Sequence, residues 1–215
     1  MKKTIIFVSL FMLLGATYYF QPTAYKILKL KTFDSLVTDK EPSGNFVILN
    51  INENDITNEG GYPLSRQTLA QIHINLLRKG ALGVGWVIAF PQPDRFGGDF
   101  DFTEALGFSP SVLAMFEGEG DYPPTSGTVI LGPESGGIMS EGVIQNIDIL
   151  KANASQGLAV ARTDVDNLVR RLPLLMRTPD GLVSTYGTEV LKVLAGADTY
   201  IIKTNDNGLE EVRVK

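Results

Sequence analysis

The sequence predicts an α/β domain: a mixed, largely parallel sheet with flanking helices, preceded by an N-terminal membrane-anchor helix. Three observations predict it. Thr4 to Phe20 is an apolar run without a charged residue. Gly44 to Asp94 alternates strand-like and helix-like patterns: Phe46-Val47-Ile48-Leu49 with Ile51, then Leu69, Ile72, Leu76 and Leu77 at helical spacing, then Leu82 to Phe90. Further short apolar runs at Val112–Phe116, Thr128–Leu131 and Gly157–Ala161 supply more strands.

In chain order, Lys2-Lys3 precede an apolar run slightly under the ~20 residues that span a bilayer. Tyr18-Tyr19-Phe20 stand where an interfacial aromatic belt belongs, and Gly15-Ala16-Thr17 makes a poor cleavage site. An uncleaved signal anchor is therefore preferred to a cleavable signal peptide, although Lys26, Lys29 and Lys31 weaken the positive-inside contrast. Both readings export the rest of the chain, with the domain on the extracytoplasmic side of the cell (inner) membrane. The expected organisation is an anchor over residues 1–23, a juxtamembrane helix and linker over 24–43, and an extracytoplasmic domain over 44–215. Ala24 to Thr38 suits a helix that continues from the membrane, and Glu41-Pro42-Ser43-Gly44 breaks it.

The unit from Gly44 to Asp94 is expected to be a strand, a crossover helix and a parallel strand, with functional loops Asn52–Tyr62 and Pro91–Asp101 at one sheet edge. Ser65 is a plausible N-cap of its helix, and Arg78, Lys79 and Gly80 suit the helix end. Phe100–Leu106 reads as a short helix and Ser184–Leu194 as an amphipathic one. Asp164-x-Asp166-Asn167 reads as a turn followed by a strand beginning near Leu168, with Asn167 suited to left-handed geometry. Pro179-Asp180-Gly181 is a turn, and Tyr200–Ile202 with Val212–Val214 form a hairpin about Asn205–Gly208.

The wording of these segments is more specific than their pattern. Ile51-Asn52-Glu53, Tyr62-Pro63-Leu64-Ser65-Arg66, Gly80-Ala81 and Pro93-Asp94-Arg95 follow one another as in the type-two CHASE domain, which this sequence resembles. Asp34, and Asp164 to Asp166 before Val169-Arg170-Arg171, also resemble that family's pattern. Asn52, Tyr62 and Val87 depart from it, and two of the changes remove negative charge from the strand ends. The resemblance implies a sensory input domain of a bacterial transmembrane signalling protein whose output module is an adenylate or guanylate cyclase, a histidine kinase or a Ser/Thr kinase. It also implies further membrane helices and that output module beyond Lys215, so the sensory domain is expected to be incomplete here.

Composition narrows the chemistry. A net charge of −5 over 215 residues argues against a nucleic-acid surface, and the lack of cysteine excludes disulfides and thiolate sites. His73, the only histidine, falls on the apolar helix face and reads as a core residue with one local hydrogen bond. Asp94, Asp99, Asp101 and Glu104 are acidic enough for calcium but lack the spacing of a calcium loop. Gly83-Val84-Gly85 is no dinucleotide fingerprint, and Gly132 to Gly137 lacks the Lys-Ser/Thr ending of a phosphate loop. No catalytic set, metal set or cofactor is expected. The candidate ligand-binding residues are Arg66, Asp94, Arg95 and Glu53, flanking one crevice. The competing reading makes them a lock in which the arginines pair with Glu53, Asp55 or Asp94, with Arg66 expected to bond to Asp94 or Glu53. The expected partners are the membrane and an unidentified small molecule or stimulus, with a homodimer left open. Two rivals to a sensor stand beside it: an exported enzyme, and a structural periplasmic dimerisation module.

Overall fold

The computed structural model describes residues 2–122, 127–133, 137–206 and 208–215. Its helices are α1 (Lys2–Phe20), α2 (Thr23–Leu36), α3 (Glu53–Asn58), α4 (Arg66–Arg78), α5 (Asp99–Leu106), α6 (Asp148–Lys151) and α7 (Tyr186–Leu194). Its strands are β1 (Val84–Trp86), β2 (Ser111–Glu117), β3 (Thr128–Leu131), β4 (Val143–Ile144), β5 (Ser155–Leu158), β6 (Leu175–Thr178), β7 (Gly181–Ser184), β8 (Tyr200–Asn205) and β9 (Gly208–Val214). The α/β class stands, and the sheets are mixed. Pairs β1–β2, β2–β5 and β3–β8 are parallel, while β2–β4, β6–β7 and β8–β9 are antiparallel.

The chain divides into two compact units, one of Met1–Asn50 with Arg162–Arg171, the other of Ile51–Ala161 with Leu172–Lys215. In the larger unit β2 is the central strand, and Ser111 to Met115 are buried without interruption. That is what a strand covered on both faces requires, and it explains why Val112–Phe116 shows no polar alternation. Trp86, Phe90, Phe102, Leu106 and Leu113 form the principal core with Leu64 and Leu69. Phe102 meets both Trp86 and Phe90 edge-on, at centroid distances of 5.4 and 5.3 Å.

Helix α4 forms as its sequence dictates. The Ser65 hydroxyl accepts from the Thr68 amide at 3.1 Å, Leu69, Ala70 and His73 are buried, and Gly80 takes φ +94° after the last turn. Helix α7 lies close to the sheet because glycines admit it. A Cβ at Gly85 would strike the Tyr186 hydroxyl, and one at Gly157 would lie 2.6 Å from Tyr186 Cα. Within α7 Glu189, buried, accepts from the Ser184 and Tyr200 hydroxyls at 2.6 and 2.7 Å and pairs with Lys192 at 2.8 Å.

Several expectations are corrected. Phe46–Leu49 is not a strand: Val47 and Ile48 are 91% and 94% exposed, and no described strand forms a ladder with this run. The parallel unit that does form is β1–α5–β2, which starts at the strand expected to end the unit. The run from Leu82 to Phe90 keeps only three strand residues, because a side chain takes over its edge. The amide oxygen of Asn146 accepts from Phe90 N at 2.7 Å, and its amide nitrogen donates to Ala114 O and Gln156 Oε1. Similarly, the strand expected near Leu168 begins at Leu175, and Asn167 holds φ +63° in the turn.

At the N-terminus α2 does not continue α1. Gln21 at φ +43° and Pro22 separate them, and the two axes are bent by 83°. Among the described residues no single helix is long and apolar enough to cross a membrane, although Thr4–Phe20 and Thr23–Leu36 meet that criterion as a bent pair. Of the motifs weighed above, residues 134–136 of the Gly132 to Gly137 segment and residue 207 of the last hairpin turn lie outside the described residues.

Candidate functional site

The crevice residues assemble into a closed corner at the start of α4. Asp94 Oδ2 accepts from the backbone amides of Arg66 at 2.9 Å and Gly98 at 3.2 Å, and Oδ1 accepts from Phe96 N. Burial pushes the Asp94 carboxyl up, but the three amides outweigh it and hold the group below the ordinary carboxylate range. Asp94 thus caps a helix that begins 28 residues earlier. Asp99 completes the corner by accepting from Asp94 N at 2.8 Å.

The Arg66 guanidinium lies over the Phe90 ring, its Cζ 4.2 Å from the centroid, and Nη2 donates to Gln92 O at 3.4 Å. Its ionic partner is Asp99, with Nε 3.5 Å from Oδ1, rather than Asp94 or Glu53. Neither of these two buried atoms makes a hydrogen bond. The corner differs from the expected lock: Asp94 binds backbone amides, that of Arg66 included, and Asp99, which the expectation did not include, faces the guanidinium. Glu53 opens α3 and is exposed, and Arg95 lies over the Phe96 ring at 4.6 Å. The geometry joins Arg66 to Asp94 and brings in Asp99, but it adds neither Glu53 nor Arg95.

His73 is fully buried and makes two long-range hydrogen bonds instead of one local bond. Its Nδ1 accepts from the Trp86 indole at 3.2 Å, and Nε2 lies 3.2 Å from the Ser109 hydroxyl. Burial lowers its pKa to about 4. Among the described residues no group of three or more His, Cys, Asp or Glu is placed to hold a metal.

A second constellation lies in the smaller unit, where the sequence showed a turn, a family acid and the Arg170-Arg171 pair without joining them. Arg170, with a side chain 6% exposed, uses five donors. Nε and Nη2 grip Asp34 at 2.7 and 2.8 Å, Nη1 and Nη2 grip Asp166 at 2.8 and 2.7 Å, and Nη1 reaches Asp164 at 3.1 Å. These are the fork geometries that make arginine–carboxylate bonds strong and directional. They hold Asp34 below the usual carboxylate range, bring Asp166 down to about 2, and push Arg170 up. The available signal was the pairing of Asp34 with Asp164, Asp166 and Arg170 in one family pattern.

The larger unit also carries an apolar groove of about 660 Å³. Leu158 to Ala161 form one wall, Leu172 to Leu174 another, and Tyr186, Leu191 and Val212 line the rest. None of its lining side chains is charged, so the groove suits neutral, apolar matter. Its two walls are the stems of the loop at 162–171 that carries Arg170.

A family model for the CHASE2 domain matches residues 5–213. No curated protein and no solved structure matches the chain.

Proposed function

The chain belongs to the CHASE2 domain family, a sensory family of signalling proteins, and on that premise we propose that it is an extracytoplasmic input domain of a bacterial transmembrane signalling protein. The match over residues 5–213, nearly the whole chain, carries the reading. Residues 1–23 act as the anchor, and the output partner is a cyclase, a histidine kinase or a Ser/Thr kinase.

The geometry supports a route for the signal. A stimulus that fills or reshapes the groove displaces Leu158–Ala161 or Leu172–Leu174. Those segments are covalently continuous with the Asp164–Arg170 turn, whose guanidinium grips Asp34 on α2. The signal is limited to the stimulus's differential affinity for the two arrangements. In this reading Arg66, Asp94 and Asp99 keep the start of α4 rigid, while exposed Glu53 and Arg95 are accessible to a ligand.

The test is topological. A reporter enzyme that works only outside the cytoplasm, fused after Gly118 in the full chain, is expected to be active. Activity confined to a cytoplasm-specific reporter at the same position contradicts the proposal.

A further inference from the structure

The Arg170 constellation differs from an ordinary surface ion pair in how its donors are distributed. Asp164 and Asp166 lie six and four residues before Arg170 in the same turn, whereas Asp34 lies 136 residues away on α2. Three of the five bonds therefore organise the turn and present the guanidinium. The other two, the Nε–Nη2 fork, reach out to α2. The turn is built independently, since Asp164 N donates to Leu168 O at 2.9 Å and Asn167 adopts the left-handed geometry that closes it.

Helix α2 packs weakly. It buries no residue fully, Tyr25, Ile27 and Leu30 are half-buried, and Leu28, Phe33 and Leu36 are exposed. Its N-cap position is Pro22, without a side-chain cap bond, and the bend after α1 denies it a continuous helix to lean on. A helix of 14 residues is marginal in water when unsupported, because the nucleation cost is repaid by few turns.

From this we infer that Arg170 is a clasp: its fork on Asp34 holds α2 folded against the 162–171 turn, and opening the fork releases α2 while the larger unit stays folded. The clasp is a two-state local element. Closed, it joins the juxtamembrane helix to the loop between β5 and β6; open, it frays the helix and breaks that mechanical link. Three carboxylates share one guanidinium, with Arg171 only 3.6 Å from Asp164 as a second cation. Withdrawing Arg170 thus leaves a cluster of like charges, which drives α2 and the turn apart. The use of the clasp as a relay rests on the sensory reading; its existence does not.

Amide hydrogen exchange on the full chain in a lipid nanodisc tests it, comparing wild type with Asp34→Ala, Asp34→Asn and Arg170→Lys. Asp34→Ala leaves the Arg170–Asp164–Asp166 turn intact. It is expected to speed exchange over residues 24–36 at least tenfold, with residues 111–117 and 155–158 unchanged. Arg170→Lys keeps the charge but lacks the fork, so it is expected to release α2 to a similar extent. Asp34→Asn keeps one acceptor and is expected to fall between. Unchanged α2 exchange in both Asp34→Ala and Arg170→Lys overturns the clasp. Acceleration spread equally over β2 and β5 overturns it as well, because the residue would then be a general stabiliser. The readout is independent of membrane orientation, so it can fail while the topology test succeeds, and the reverse.

Discussion

A histidine that accepts a hydrogen bond from an indole cannot be protonated on that nitrogen, since an indole N–H only donates. His73 Nδ1 receives the Trp86 N–H, so the single proton sits on Nε2 and is donated to Ser109. Protonating Nδ1 would break the Trp86 bond and place a charge in the core, which is why burial holds the pKa at about 4. The sign of the pH effect follows from this lowered value. Between the unfolded value near 6.5 and about 4 the unfolded chain binds a proton that the folded chain refuses. Stability is therefore complete above about pH 6.5 and falls as the pH drops toward 4, by on the order of 2 kcal/mol. Urea unfolding at pH 7 and pH 4.5 should show this loss in wild type and a smaller one in His73→Leu; equal losses would remove His73 as the cause. His73→Leu still folds but orphans the Trp86 N–H, at a cost of ~1–2 kcal/mol, while His73→Asp buries an unpaired charge and costs several times more. The sequence placed His73 in the core through helical spacing alone. Its partners, 13 and 36 residues away, leave no periodic trace.

At the scale of elements, α4, α5 and β2 were legible because each carries its own signal: a capping serine, an apolar stripe, or an unbroken buried run. Phe46–Leu49 carries the same apolar signal and forms no strand, since hydrophobic pattern reports a preference for burial and says nothing of which ladder is available. The early end of β1 was equally hidden, because Asn146 substitutes for a strand from 56 residues away. Replacing Asn146 by Leu leaves the buried Phe90 N–H and Ala114 C=O unpaired, and is expected to lower stability by ~2–4 kcal/mol in chemical denaturation. A loss below ~0.5 kcal/mol would show that β1 ends for another reason. The α4 corner makes a parallel prediction. Arg66→Ala removes the ionic partner of Asp99 Oδ1, a buried atom with no hydrogen bond, and should cost on the order of 2–3 kcal/mol, above the range of an exposed pair. In double-mutant cycles Arg66 should couple with Asp99 and be additive with Glu53; coupling to Glu53 instead would contradict the corner described here.

At the scale of the molecule, the α/β class and family membership were legible, while the device joining distant segments was not. Asp34 and Arg170 both stand in the family pattern, but nothing local in the sequence pairs a helical acid with one of two consecutive arginines. Only the fold brings the carboxylate within 2.7 Å of the guanidinium. Gly83-Val84-Gly85 shows the same limit: the sequence excluded a nucleotide fingerprint, and the packing of α7 on Gly85 supplies the reason for the glycine. Depressed carboxylates also set the clasp's pH range. The Arg170 fork holds the Asp34 carboxyl below its ordinary value near 4, so the clasp is fully closed at neutral pH and opens only as acid below that ordinary value protonates Asp34. The most direct measurement of sensory coupling fills the groove by substitution and reads α2. Ala161→Trp places an indole against the groove wall at the stem of the 162–171 turn. In the full chain in a nanodisc, coupling predicts that hydrogen exchange over residues 24–36 changes at least tenfold while residues 111–117 retain wild-type protection. A variant with the groove filled, β2 protected and α2 exchanging at the wild-type rate would contradict it.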